Sequence, residues 1–178
     1  MERVQVDAFE YADDVNHLLR HGGLLLVTEG DEGVPNAMTI GWGMIGIMWR
    51  RPIFVIAVRS SRHTYRLLDE SNRFTIGLPS KEMGKVLEVC GSTSGRDVDK
   101  MRELSLTVGR GFKVDAPYIE ACPVHYECAV VYKDTLQPGT LAPPIESEVY
   151  PTGNRHVLYY GVVKGAFASA DVQSALYA

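Results

Sequence analysis

Cysteine is scarce in this chain: Cys90, Cys122 and Cys128 are the only three in 178 residues. An odd count with no secretion signal argues against a disulfide framework and for free thiols. Cys122 and Cys128 fall on one face of a predicted strand, where six residues of extended chain hold them about 20 Å apart, too far to bridge. Long apolar runs are missing too. The most apolar stretch, 38–48, is broken by Thr39, Trp42 and three glycines. That falls short of the roughly 18 residues of a membrane-spanning helix. The segment Met1 to Asp7 carries no apolar signal core and no cleavage site, so a cytoplasmic location is expected. Basic charge is lacking: 18 Lys and Arg against 22 Asp and Glu give a net charge of −4. That excludes a nucleic-acid backbone as the main partner. Metal-ligand spacing is absent, because His17 and His21 have no acidic partner and lie on a predicted exposed helix face. No Gly-x-x-x-x-Gly-Lys-Ser/Thr run and no Gly-x-Gly-x-x-Gly after a strand occurs. Nucleoside-triphosphate loops and a dinucleotide-binding domain are therefore not expected.

The remaining composition is that of an ordinary globular domain, with 46% hydrophobic and 22% charged residues. A single domain over 1–178 is long enough for a real core. Residues 12–21 read as a helix with Val15, Leu18 and Leu19 on one face and Gly22-Gly23 as its stop. Leu24 to Thr28 is a buried strand, and the turn 30–35 brings it back into 36–41. Residues 44–48 extend or bulge that strand, and 53–58 is the next. A helix over 62–70 and a strand over 74–78 follow. Helices are predicted over 80–89, begun by Ser80, and over 97–104, begun near Asp97. Short strands lie near 106–108 and 112–114, and a long strand or bent pair covers 123–135. Residues 136–154, rich in proline and glycine, form a long loop or irregular arm of the kind that is often functional or crosses to a partner subunit. Strand 156–168 closes the sheet. Many closely spaced strands with a few helices predict a mainly β fold, a β-barrel with helical inserts.

Three stretches carry chemistry. At Arg59-Ser60-Ser61-Arg62-His63-Thr64 a buried strand runs into a helix. Ser60 or Ser61 is the predicted cap. The helix start adds unpaired N–H groups and the positive end of the dipole. With Arg59, Ser61, Arg62 and Thr64 this suits a phosphate. The second stretch, Cys90 to Lys100, packs two glycines, three hydroxyl residues, Arg96 and Lys100 into a loop. Gly95 lets backbone approach an anion, Ser94 supplies donors, and Arg96 and Lys100 supply charge. Arg96 and a helix end near Cys90 would lower its pKa; a simply packed thiol is the other reading. The third stretch is Asn36 to Trp42. Here Thr39 offers a hydroxyl, Gly41 lets a flat ring lie close to the backbone, and Trp42 borders it.

Together these pieces resemble the flavin reductase-like proteins with the FMN-binding split barrel, including flavoredoxin. The matching residues are 36–42, Trp49-x-x-Pro52, Arg59 to Tyr65, Phe74 to Pro79, Cys90 to Lys100, and His156 to Val163. The resemblance covers about residues 10 to 170. It implies FMN held non-covalently in a homodimer and reduced by NAD(P)H. Ser61, Arg62, Thr64 and Lys100 become the phosphate ligands, with Ser94, Gly95 and Arg96 as secondary ones. Met38, Thr39, Ile40 and Gly41 line the ring, mostly through backbone groups. Asn36, Arg59 and His63 lie in the same motifs, and His156 is the candidate at the open ring face. Hydride transfer through FMN needs no obligatory acid–base residue. Two functions remain open: an NAD(P)H-dependent oxidoreductase, and an electron carrier docking onto a basic redox partner protein.

Overall fold

Apolar and β-branched segments recur along the chain, and they pair antiparallel into one curled sheet of eight strands. The computed structural model describes residues 2–176. The chain opens with strand β1 (Arg3–Val6), helix α1 (Ala12–His21), and the hairpin β2 (Leu24–Glu29) and β3 (Pro35–Ile40). Strands β4 (Gly43–Met48) and β5 (Arg51–Arg59) lead into α2 (His63–Ser71) and β6 (Arg73–Leu78). Helices α3 (Gly84–Ser92) and α4 (Lys100–Glu103) precede the small ribbon β7 (Val108–Arg110) and β8 (Pro117–Ile119). The long strand β9 (Val124–Thr135), helix α5 (Pro143–Val149), strand β10 (His156–Ser169) and helix α6 (Val172–Leu176) complete the chain.

The strand order is β3-β2-β6-β9-β10-β5-β4, with β1 added along β10. The end strands β3 and β4 are joined only by Gly41 and Trp42 and are not paired with each other, so the barrel is split there. Helix α1 lies across β2, β4 and β6 and adds Tyr11 and Val15 to the core. Strand β2 is buried on both faces, and its alternation explains the layers. Leu24 and Leu26 point into the barrel with Phe54, Ile76, Tyr126 and Tyr159. Leu25 and Val27 point outward, where Met83 and Cys90 cover them. That outer layer places the loop after α3 beside the start of α2. At Gly161 a Cβ would meet the Phe74 ring at 2.6 Å and the Cβ of Cys128 at 2.9 Å. Only glycine lets β10 pass that close. Among the described residues no helix is long and apolar enough to cross a membrane.

The mainly β fold with helical inserts is as expected; several local expectations are corrected. Residues 44–48 do not continue the previous strand, because β4 turns back and pairs with β5 from Gly43↔Ile56 to Met48↔Arg51. The helix expected over 80–89 starts at Gly84, after a turn in which Met83 N–H donates to Ser80 O at 3.0 Å. The helix expected over 97–104 is the single turn α4, capped by Asp99. The short strands sit at β7 and β8, and 112–114 is a loop. The arm 136–154 contains α5, begun by prolines. Cys122 lies before β9, not on one strand face with Cys128, and both are free and buried.

Candidate functional site

Strand β5 ends at Arg59, and four residues later, at His63, α2 begins. No serine caps the helix: Arg62 is the N-cap residue, in extended conformation, and no side chain bonds to the first turn. Tyr65 N–H bonds back to Arg62 O at 3.1 Å, and the N–H groups of His63 and Thr64 are left open to a ligand. Thr64 is buried and accepts from Asn36 Nδ2 at 2.9 Å, which ties α2 to β3. The loop after α3 approaches from the other side. Arg96 donates to the Ser61 carbonyl at 3.1 Å. At Gly95 a Cβ would meet Asn36 Oδ1 at 2.1 Å, so a side chain there would push the loop off β3.

These segments enclose a hollow of about 100 Å³ lined by Ser61, Arg62, Thr64 and Lys100, together with Met38, His63, Ser94, Gly95 and Arg96. Among the described residues no acid lines it. Lys100 is 4% exposed, and its ammonium donates to the Thr93 carbonyl at 3.1 Å. An ammonium has three donors, and among the described residues no carboxylate pairs with this one. Burial pulls its pKa down, Cys90 pulls it back, and Arg62 lowers it further. His63 Nδ1 is buried with no partner among the described residues. Its pKa is lowered by burial and then by Arg66, Arg96 and Lys100. An unpaired ammonium, an open helix start and hydroxyl groups with no competing acid fit a phosphate. Cys90 does not gain the reactivity that a nearby arginine would give it. Burial raises its pKa, and Lys100 offsets only part of that.

A second hollow of about 160 Å³ meets the first at Met38 and Arg62. Residues 38–42, Ala57, Arg59 and His156 complete its lining. The Thr39 hydroxyl is turned away and donates to Leu87 O at 2.6 Å. Ile40 packs into the barrel core. Both can face this hollow only through backbone. The Trp42 ring lies 4.5 Å from that of His156. His156 is pushed down to about 4 by burial, Arg59 and Arg62. Arg59 lines this hollow and not the first one. It donates to the Asn154 carbonyl at 2.8 Å and the Val149 carbonyl at 3.4 Å. Tyr150, whose hydroxyl lies 2.8 Å from His156 Nδ1, was not visible as a site residue in the sequence. Its only signal was its place in the proline-rich arm.

A split, curled sheet with helical inserts is the fold of the FMN-binding split barrels. The chain belongs to the flavin reductase-like domain family, whose model matches residues 19–178. An uncharacterized protein of Archaeoglobus fulgidus is 29% identical over 147 residues, covering 80% of this chain and 82% of its own length. The solved flavoredoxin of Methanosarcina acetivorans is 25% identical, with a TM-score of 0.66 over 84% of this chain and 69% of its own. An FMN-binding domain of a flavin reductase-like enzyme from Shewanella baltica OS155 is 18% identical. It superposes with a TM-score of 0.67 over 99% of this chain and 85% of its own.

Proposed function

We propose that this protein is an FMN-dependent oxidoreductase that passes hydride from NAD(P)H to the flavin and on to a second acceptor. The observation that carries the reading is the buried, unpaired ammonium of Lys100 in a hollow that holds no acid. Ser61, Arg62, Thr64 and the α2 N–H groups would share the phosphate with it. Asn36 supports them by fixing Thr64. Met38, Gly41 and the backbone of 39–40 would line the ring. Held there, FMN would supply the hydride-transfer chemistry. The protein's part is position and exclusion of water, with Trp42 and His156 bounding the ring hollow. The chain has no fingerprint for the adenine half of a nicotinamide donor. Donor binding is therefore weak, with KM about 0.1–1 mM.

The working form is a homodimer. Strand β4 is a sheet end, and Met44, Ile47 and Trp49 on and beside it are 59%, 66% and 55% exposed. Such a patch needs covering.

The test is titration with FMN and with riboflavin. Charge-assisted hydrogen bonds contribute about 1.5–3 kcal/mol each, so removing the phosphate should weaken binding at least roughly tenfold. Equal curves would sink the phosphate assignment. NAD(P)H consumption by the loaded protein separates an oxidoreductase from an electron carrier, which would show none.

A further inference from the structure

The arm between β9 and β10 packs against Arg59 and His156, which line the ring hollow, and is clasped twice. Glu146 of α5 pairs with Arg155. Arg59 bonds the carbonyls of Val149 and Asn154, and its guanidinium sits 5.3 Å over the Tyr150 ring. Tyr150 is 5% exposed. The contact between its hydroxyl and His156 Nδ1 is therefore held firmly, with Trp42 packed against the imidazole.

A 2.8 Å contact admits two proton arrangements: the phenol donates to Nδ1, or Nδ1–H donates to the phenol oxygen. The first is much the stronger. An imidazole nitrogen is a good acceptor, whereas the phenol oxygen shares its lone pair with the ring. The cation above that ring draws electron density further away and makes the hydroxyl a better donor. The charged groups facing His156 are Arg59 and Arg62, both cationic, and with burial they keep the imidazole neutral at pH 7. A neutral imidazole has one N–H.

We infer that Tyr150 is a positioning residue: it donates to Nδ1 of His156 and so leaves Nε2–H as the donor that the ring hollow offers to a carbonyl-bearing ring, such as a nicotinamide carboxamide. The substrate half of this inference rests on the oxidoreductase reading; the tautomer half does not. A neutral N–H donor matches a neutral carbonyl oxygen, and the nearby arginines carry the charge that an acid would seek.

The decisive measurement is the long-range 1H–15N spectrum of His156 in the full-length protein at pH 7, assigned by loss of its signal in His156→Gln. The parent should show Nε2 protonated and Nδ1 bare. Tyr150→Phe should move the tautomer ratio about tenfold toward Nδ1–H. A protonated Nδ1 in the parent overturns the inference, and so does an unchanged ratio in the variant. If Tyr150→Phe does not fold, the parent spectrum still decides. With FMN bound, Tyr150→Phe should raise the KM for NADH about tenfold at unchanged FMN affinity. It should add nothing in a His156→Ala background; additive losses overturn the role. Failure to bind FMN removes the oxidoreductase reading, while the tautomer spectrum still decides for or against Tyr150.

Discussion

Replacing Lys100 by methionine should move stability and flavin binding in opposite directions. Methionine keeps the apolar stem and roughly its volume. Without flavin, the parent buries a cation whose one described hydrogen bond is to the Thr93 carbonyl. Replacing buried charge by an apolar group of similar size is often neutral or stabilising. The lost bond to Thr93 offsets part of that gain, so the flavin-free variant should be unchanged to about 2 kcal/mol more stable in urea unfolding. Binding should suffer by one charge-assisted bond, about 1.5–3 kcal/mol, or roughly 10- to 150-fold in Kd. Linkage supplies a third signature. Lys100 titrates below its ordinary value of 10.5 in the folded protein, so between the two values the unfolded chain holds more protons. Its contribution to stability is fully present above 10.5 and is lost as pH falls through the lowered folded value. The parent should gain stability across that window, and Lys100→Met should lose that component. A variant that is destabilised without flavin yet binds FMN as tightly as the parent would falsify the argument.

Gly95→Ala should weaken FMN binding about tenfold or more, with little change in unfolding midpoint, because the added Cβ strikes Asn36 and not the core; an unchanged titration curve counts against that geometry. Glu127 is fully buried and accepts from the N–H groups of Phe112, Lys113 and Val114 at 2.7, 2.6 and 2.9 Å. Burial pushes its pKa up, but His125 and these three N–H groups bring it below 4.5 overall. Its contribution is therefore present above 4.5 and lost as pH falls through the lower folded value. Glu127→Ala should cost about 3–5 kcal/mol in urea unfolding at pH 7, and a loss under 1 kcal/mol contradicts this account. Ile47→Glu should give a monomer in sedimentation, and a parent that is already monomeric with FMN bound disposes of the dimer.

The cationic hollow gathers residues that stand close together in the sequence, mainly 61–64 and 93–96 with Lys100. Motif chemistry of that kind survives in one dimension. The partner of a strand does not. Alternation in 44–48 reports two faces, but whether the segment continues β3 or returns along β5 depends on the turn at Gly41-Trp42. The segment 112–114 has strand-like composition, yet all three of its N–H groups are taken by a carboxylate far along the chain. No local pattern shows such a claim on the backbone. The cap of α2 failed for a similar reason. Ser60 and Ser61 are good capping residues, but neither bonds to the first turn, and the N–H groups of His63 and Thr64 stay open to a ligand. Tyr150 was hidden because its role depends on Arg59 clasping the arm.

All three thiols are buried, Cys128 inside the barrel and Cys90 and Cys122 in the outer layer, and burial raises the pKa of each, that of Cys122 to about 12. A folded molecule is therefore almost silent toward a thiolate-seeking reagent, and every labelling event marks an opening. Cys128 lies in the middle of β9 inside the barrel and is exposed only by global unfolding. Cys122 becomes reachable when its outer-layer turn peels away, and Cys90 when α3 lifts off the hairpin beneath it. Single-thiol versions of the chain thus carry three built-in clocks. The Cys90 clock runs in the wall of the phosphate hollow itself, so its slowing by added FMN would read how tightly a ligand holds that flap down.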